Sequence, residues 1–231
     1  EPQSLADWLD VRSGAGEVRV LTAEGGVSAD VDILISKQRI PWSGHSGRFA
    51  VPEVYEAIKK ATMTLVFVNT RSQAELMFQE LWHANEDGLP IALHHGSLAR
   101  EQRTKVEAAM AAGALKAVVC TSTLDLGIDW GEVDLVIQMG APKGAARLIQ
   151  RIGRANHRMD EASRAVLVPT NRFEVLECRA AEAAVEAGEI DGEGVREGSL
   201  DVLAQHVMGR ACGDGFRLEE LYEDIIRAAP Y

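Results

Sequence analysis

Long apolar runs, closely spaced cysteines, internal repeats and a positive charge balance are all missing from this sequence. No stretch approaches the ~18–20 apolar residues that span a bilayer, so no membrane contact is expected. The three cysteines, Cys120, Cys178 and Cys212, stand far apart with no CxxC. That excludes a disulfide framework and a zinc site of usual spacing. Each is expected to be a small buried hydrophobe in a reducing compartment. The chain starts Glu-Pro-Gln, with no Met and no signal-peptide pattern, so a piece of a longer cytoplasmic protein is expected. The formal charge is −11 over 231 residues. Such a balance argues against a general polyanion sponge, but it leaves room for nucleic acid held in a local, salt-sensitive basic groove.

Against that acidity, one basic stretch stands out. Lys143, Arg147, Arg151, Arg154 and Arg158 follow one another with no Asp or Glu until Asp160. On a helix the arginines, spaced four, three and four apart, share one face and repel. An anion relieves that repulsion, and arginine's planar fork suits phosphate. A solvated basic face or ion-pair network is the plainer alternative. Gly153 inside the stripe is expected to end the helix and present Arg154 and Arg158 from a loop or last turn.

The rest of the chain alternates. Expected strands are Val18–Thr22, Val31–Ser36, Thr64–Asn69, Ile91–His94, Ala117–Cys120, Val133–Met139 and Ala165–Pro169. Expected helices start near Pro52 and cover Ser72–Glu86, Arg100–Ala112, Ala145–Ile152 and Phe173–Ala187. Strands alternating with helices mean βαβ units, hence an α/β fold with a parallel sheet and helices on both faces. A polar, Gly-rich linker follows, then two helices, Leu200–Ala211 and Leu218–Ala229, whose apolar faces need a further partner.

Ligands of open α/β sheets bind beyond the carboxyl ends of the strands. Four strand ends carry anion-friendly residues: Asn69-Thr70-Arg71, His94-His95-Gly96-Ser97, Thr121-Ser122 with Gly127 and Asp129 beyond, and Gly140 to Gly144. Small hydroxyls and backbone N–H groups at helix starts suit phosphate. Each has a plainer alternative: Thr121 and Ser122 as a helix cap, His94 and His95 as ordinary loop or core histidines. Their succession, with the arginine stripe after them, favours a phosphate-bearing ligand.

These stretches resemble the second RecA-like domain of a superfamily 2 helicase. TLVFVNTR is similar to motif IV, HHGSL to the segment after it, TSTLDLGIDW to motif V and QRIGRANHR to motif VI. IPWSGHSGRF, the run from AVVC to ANHR and VPTNRFEVLECRAA resemble the Lhr (large helicase-related) family, in its bacterial ligase-associated DExH-box branch. The resemblance implies residues 1–190 as the helicase C-terminal domain, 191–198 as linker and 199–231 as the truncated start of a winged-helix domain. It implies a motor half of an ATP-dependent helicase on single-stranded DNA, moving 3′-to-5′ in DNA repair. Arg154 resembles the arginine finger; Arg151 and Gln150 would support nucleotide and domain interface. Gly127 and Asp129 would face the ribose and couple the two sites. Asn69, Arg71, His95, Gly96, Ser97, Thr121 and Ser122 would line the strand's groove. The common pattern ends QRxGRxxR; this chain has His157 at its last arginine and Arg158 one step later, so the second finger stays open between them.

The chain has no GxxxxGK[ST] and no DExH box. ATP and Mg2+ would therefore sit mainly on the absent first RecA-like domain, and this chain alone would be inactive. The implied partners are single-stranded DNA, ATP, the missing domains and a repair ligase or nuclease. The implied place is the bacterial cytoplasm, with the nucleoid. A non-catalytic nucleic-acid scaffold and an RNA helicase of a related family are the alternatives.

Overall fold

The computed structural model describes residues 6, 18–21, 29–125, 133–155, 163–189 and 198–227. Gly26–Asp191 form one compact unit; Glu1–Gly25 with Gly192–Tyr231 form another.

The larger unit is an all-parallel six-stranded sheet. Its strands are β1 (Asp30–Ile33), β2 (Thr64–Phe67), β3 (Ile91–His94), β4 (Ala117–Cys120), β5 (Leu135–Met139) and β6 (Arg164–Val168), in spatial order β1-β6-β5-β2-β4-β3. The central strands are largely apolar because both faces are covered: TLVF, AVVC and LVIQM are buried at every position. Their side chains alternate between two cores. Val66, Val119 and Ile137 face α1 (Val51–Lys60) and α2 (Arg71–Ala84) through Val54, Ile58, Met77 and Leu81. Leu65, Phe67, Val118 and Val136 face α3 (Arg100–Ala111), α4 (Ala145–Ile152) and α5 (Arg172–Ala187) through Met110, Leu148, Ile152 and Cys178. Each fully buried side chain of this size contributes roughly 1.5–3 kcal/mol.

Local chemistry sets the helix ends. Pro52 sits in the first turn of α1, where its missing N–H costs nothing. The Thr70 side chain accepts from Gln73 N at the start of α2, and the Asn171 side chain accepts from Phe173 N and Glu174 N at the start of α5. Gly188 closes α5 in the left-handed region at φ 66°.

Several expectations shift. The first expected strand is absent over residues 18–21, which carry neither helix nor strand; Thr22 lies outside the described residues. β1 stops at Ile33, and Ser36 instead donates to Glu53 at 3.0 Å. β2 ends at Phe67 and β5 starts at Leu135, although Val68 N still donates to Cys120 O at 2.9 Å and Asp134 N to Met63 O at 3.2 Å. Cys120 and Cys178 are buried, and burial pushes the Cys178 thiol up to about 12. Cys212 is exposed, contrary to expectation, because it ends a helix with no buried residue.

In the smaller unit, α6 (Leu200–Cys212) and α7 (Leu218–Ile225) follow. Leu221 is buried, whereas Leu200, Val202, Met208 and Leu218 are exposed.

Candidate nucleic-acid and nucleotide interface

Parallel pairing brings the carboxyl ends of β5, β2, β4 and β3 side by side. The candidate residues on the turns after these strands therefore share one edge. Arg71 opens α2 after β2 and donates to the Ser97 hydroxyl on the turn after β3. Both are exposed, as are Gly96 and Ser122. These four are open to solvent.

Their neighbours turn inward. Asn69 Nδ2 donates to Ala141 O at 3.0 Å, tying the β2 turn to the β5 turn. Gly140 lets that amide approach: at φ +79°, a Cβ there would sit 3.2 Å from Asn69 Nδ2. His95 is 2% exposed. Its Nδ1 accepts from Ser97 N at 3.3 Å, and its Nε2 lies 3.4 Å from Glu75 Oε1. His95 thus shapes the turn that carries Ser97 rather than lining a groove, because its ring is packed under that turn. Thr121 is 9% exposed, and its N–H donates to His94 O at 3.3 Å.

His94, unassigned from sequence, anchors the same region. Its Nδ1 lies 2.9 Å from Thr123 Oγ1 and its Nε2 3.1 Å from Glu107 Oε1. Burial holds its pKa below the ordinary value, against the opposing pull of Glu107.

The arginine stripe splits. α4 ends at Ile152 with Gly153 as its cap, so Arg154 lies on the turn beyond, as expected from Gly153. Gly153 has φ −64°; what a side chain would meet is Ile149 O, 3.3 Å from its Cβ. Arg154 is half-buried, its Nε donating to Gln150 O at 3.2 Å, and Gln150 is exposed. Arg151, one turn earlier, is 2% exposed. Its Nε donates to Asp125 Oδ1 at 2.9 Å, its Nη1 to Gln138 Oε1, and its guanidinium lies 4.7 Å from the Phe67 ring centre. Arg151 is thus buried with its fork directed at Asp125 and Gln138, joining β5 to the segment after β4 over the Phe67 ring of β2. The expected single charged face is therefore broken, since Arg147 stays outside, 3.9 Å from Asp125 Oδ2. Gln138 had a readable signal, as a lone amide in an apolar strand that needs a buried partner. Gly127, Asp129, His157 and Arg158 lie outside the described residues.

Gln150 and Arg154 therefore lie side by side at the end of α4, the first exposed and the second half-buried. No group of three or more His, Cys, Asp or Glu among the described residues is gathered to hold a metal ion.

A RecA-like parallel sheet with an arginine turn after the helix that follows β5 is a helicase C-terminal domain. The family description "helicase conserved C-terminal domain" matches residues 50–159, and "large helicase-related protein, winged helix domain" matches residues 183–231. The chain is 36% identical over 175 residues to an ATP-dependent helicase Lhr-Core of Methanocaldococcus jannaschii, covering 75% of this chain and 20% of that protein. It is 40% identical over 138 residues to an Lhr helicase/uracil glycosylase of Escherichia coli, covering 60% and 9%. The solved Mycobacterium smegmatis helicase Lhr bound to ssDNA and AMP-PNP superposes with a TM-score of 0.87 at 31% identity, over 99% of this chain and 30% of that one. The chain belongs to the Lhr family of superfamily 2 helicases. It spans about a fifth of the length of the curated Lhr-Core relatives it matches.

Proposed function

We propose that this chain is the second motor domain of an ATP-dependent helicase of the ligase-associated branch, moving 3′-to-5′ on single-stranded DNA in repair. The compact unit Gly26–Asp191 carries the motor domain expected over residues 1–190, with 191–198 a linker and 199–231 the opening of a winged-helix domain. The observation that carries the reading is the split between Arg151 and Arg154. The first is locked inside against Asp125, at the entry to motif V. The second stands on the turn beyond, half-buried, with its Nε donating to Gln150 O. A likeness to a helicase described as bound to ssDNA and AMP-PNP supports it.

ATP with its Mg2+ supplies the phosphoryl group whose transfer to water powers movement, and both are held mainly by a first RecA-like domain. Arg154 brings positive charge and a donor fork to the transferring group, where charge develops. Gln150 supports the same phosphates. Arg151 holds Asp125, and through it the start of the segment carrying Gly127 and Asp129. Arg71, Gly96, Ser97 and Ser122 meet the DNA backbone, with Asn69, His95 and Thr121 fixing their turns.

The test is the ATPase rate of the full-length protein with and without single-stranded DNA. Arg154→Ala is expected to lower stimulated turnover by about 10³-fold while leaving DNA affinity unchanged. Turnover within a few-fold of wild type would overturn the reading.

A further inference from the structure

At the ends of β2, β5 and β6 a cavity of about 600 Å³ opens, lined by Trp42, His45, Asn69, Thr70, Lys143 and Phe173 among others. Two large aromatic rings stand in solvent at its edge: Trp42 is 63% exposed and Phe173 64%. Their ring centres are 6.4 Å apart with planes at 55°. The Arg172 guanidinium lies 4.2 Å from the Trp42 ring centre. An exposed aromatic cluster of this kind calls for an occupant.

The segment carrying Trp42 is held in one shape. Arg172 donates from its backbone to Pro41 O at 3.0 Å and from Nε to Ile40 O at 3.3 Å. Asn171 Nδ2 donates to Gly44 O at 3.1 Å, and Gln73 Nε2 to His45 O at 3.3 Å. The His45 ring lies 3.0 Å from Glu174 Oε1, whose other oxygen accepts from Thr170 N and Oγ1 at 2.7 Å each. Gly47, at φ +62°, presses on the core so closely that a Cβ would lie 2.6 Å from Met139 Cε. A loop pinned from α2, α5 and the core loses little freedom when a ligand arrives.

What fits is a flat, polar-edged ring attached to an anion. The aromatic faces suit stacking, and Asn69 and Thr70 bring polar groups to the lining; Lys143 is an exposed cation at the rim, on a cavity that also carries Glu174, held by His45 and Thr170, and Glu177. An apolar peptide side chain would waste those polar groups. Asn69 and Thr70 also belong to the β2 turn that precedes Arg71, so the cavity continues the edge assigned to the strand. We infer that Trp42 and Phe173 form a stacking platform for one unpaired base of the bound single strand, with Lys143 meeting its phosphate; this rests on the groove reading above.

The test measures affinity of the full-length protein for a labelled single strand, and for a 2-aminopurine strand whose emission drops on stacking. Trp42→Ala is expected to weaken binding roughly 5- to 150-fold, the range for losing one stacked base, and to remove the emission change. Trp42→Phe should keep both, and an abasic strand should not distinguish Trp42→Ala from wild type. Trp82→Ala, an exposed tryptophan on α2, should behave as wild type. If Arg71→Ala weakens binding while Trp42→Ala changes neither affinity nor emission, the platform is overturned and the groove stands. If neither variant weakens binding, the groove falls and takes the platform with it.

Discussion

The α4 turn and the strand-end turns around β3 and β4 solve one problem with different chemistry. Each must present a few polar groups outward and hold them with others turned inward. On α4 the inward group is a charge: Arg151, 2% exposed, paired with Asp125. On the β3 and β4 turns the inward groups are His94, His95 and Thr121. A buried charge stripped of its partner costs far more than a hydrogen-bonded neutral group that loses one. Motif residues a few positions apart therefore differ in what their loss does. Some losses remove a contact with the ligand, and others remove the support of that contact.

The contrast is sharpest in the arginine pair. Arg154→Ala is expected to remove about 10³ in turnover with an unchanged melting midpoint. Arg151→Ala is expected to cost about 3–5 kcal/mol of stability, the range for breaking a buried pair, seen as a lower urea midpoint. An Arg151→Ala protein as stable as wild type would erase the distinction between the two arginines. On the other region, Arg71→Ala should lower single-strand affinity and reduce the slope of log affinity against log salt by about one. An unchanged slope would remove Arg71 from the groove.

The smallest effect belongs to His94. Its folded pKa is depressed below the ordinary 6.5, so the unfolded chain binds this proton more readily. The stability carried by neutral His94 is full above that value and declines as pH falls through it toward the folded pKa. Thermal melts from about pH 8 to about pH 5.5 should show a steeper decline for wild type than for His94→Gln. Equal slopes would mean that His94 does not carry this dependence.

Much of this was legible beforehand. A parallel strand covered on both faces must be a continuous apolar run, so β4 matches its expected limits; the half-buried edge strand β3 matches its own as well. Gly153 marked the end of α4, and Pro52 the start of α1. The inward turn of His95 was not legible, because a histidine after a strand can face either way until its turn packs. Cys212 misled for a related reason: a small apolar residue was expected inside, but no residue of its helix is buried.

By itself the sequence determined the alternation of strands and helices, the parallel sheet and the strand ends where anion-friendly residues collect. These follow from short-range periodicity and from the need to bury apolar runs. Tertiary structure alone decided which arginine of one stripe is spent inside. It also decided which two aromatic rings meet at 6.4 Å across a cavity. Asp125 and Gln138 reach Arg151 from two other segments, and Trp42 and Phe173 come from opposite ends of the domain. Helical spacing repeats every turn and treats each arginine alike; only partners arriving from distant segments make them different.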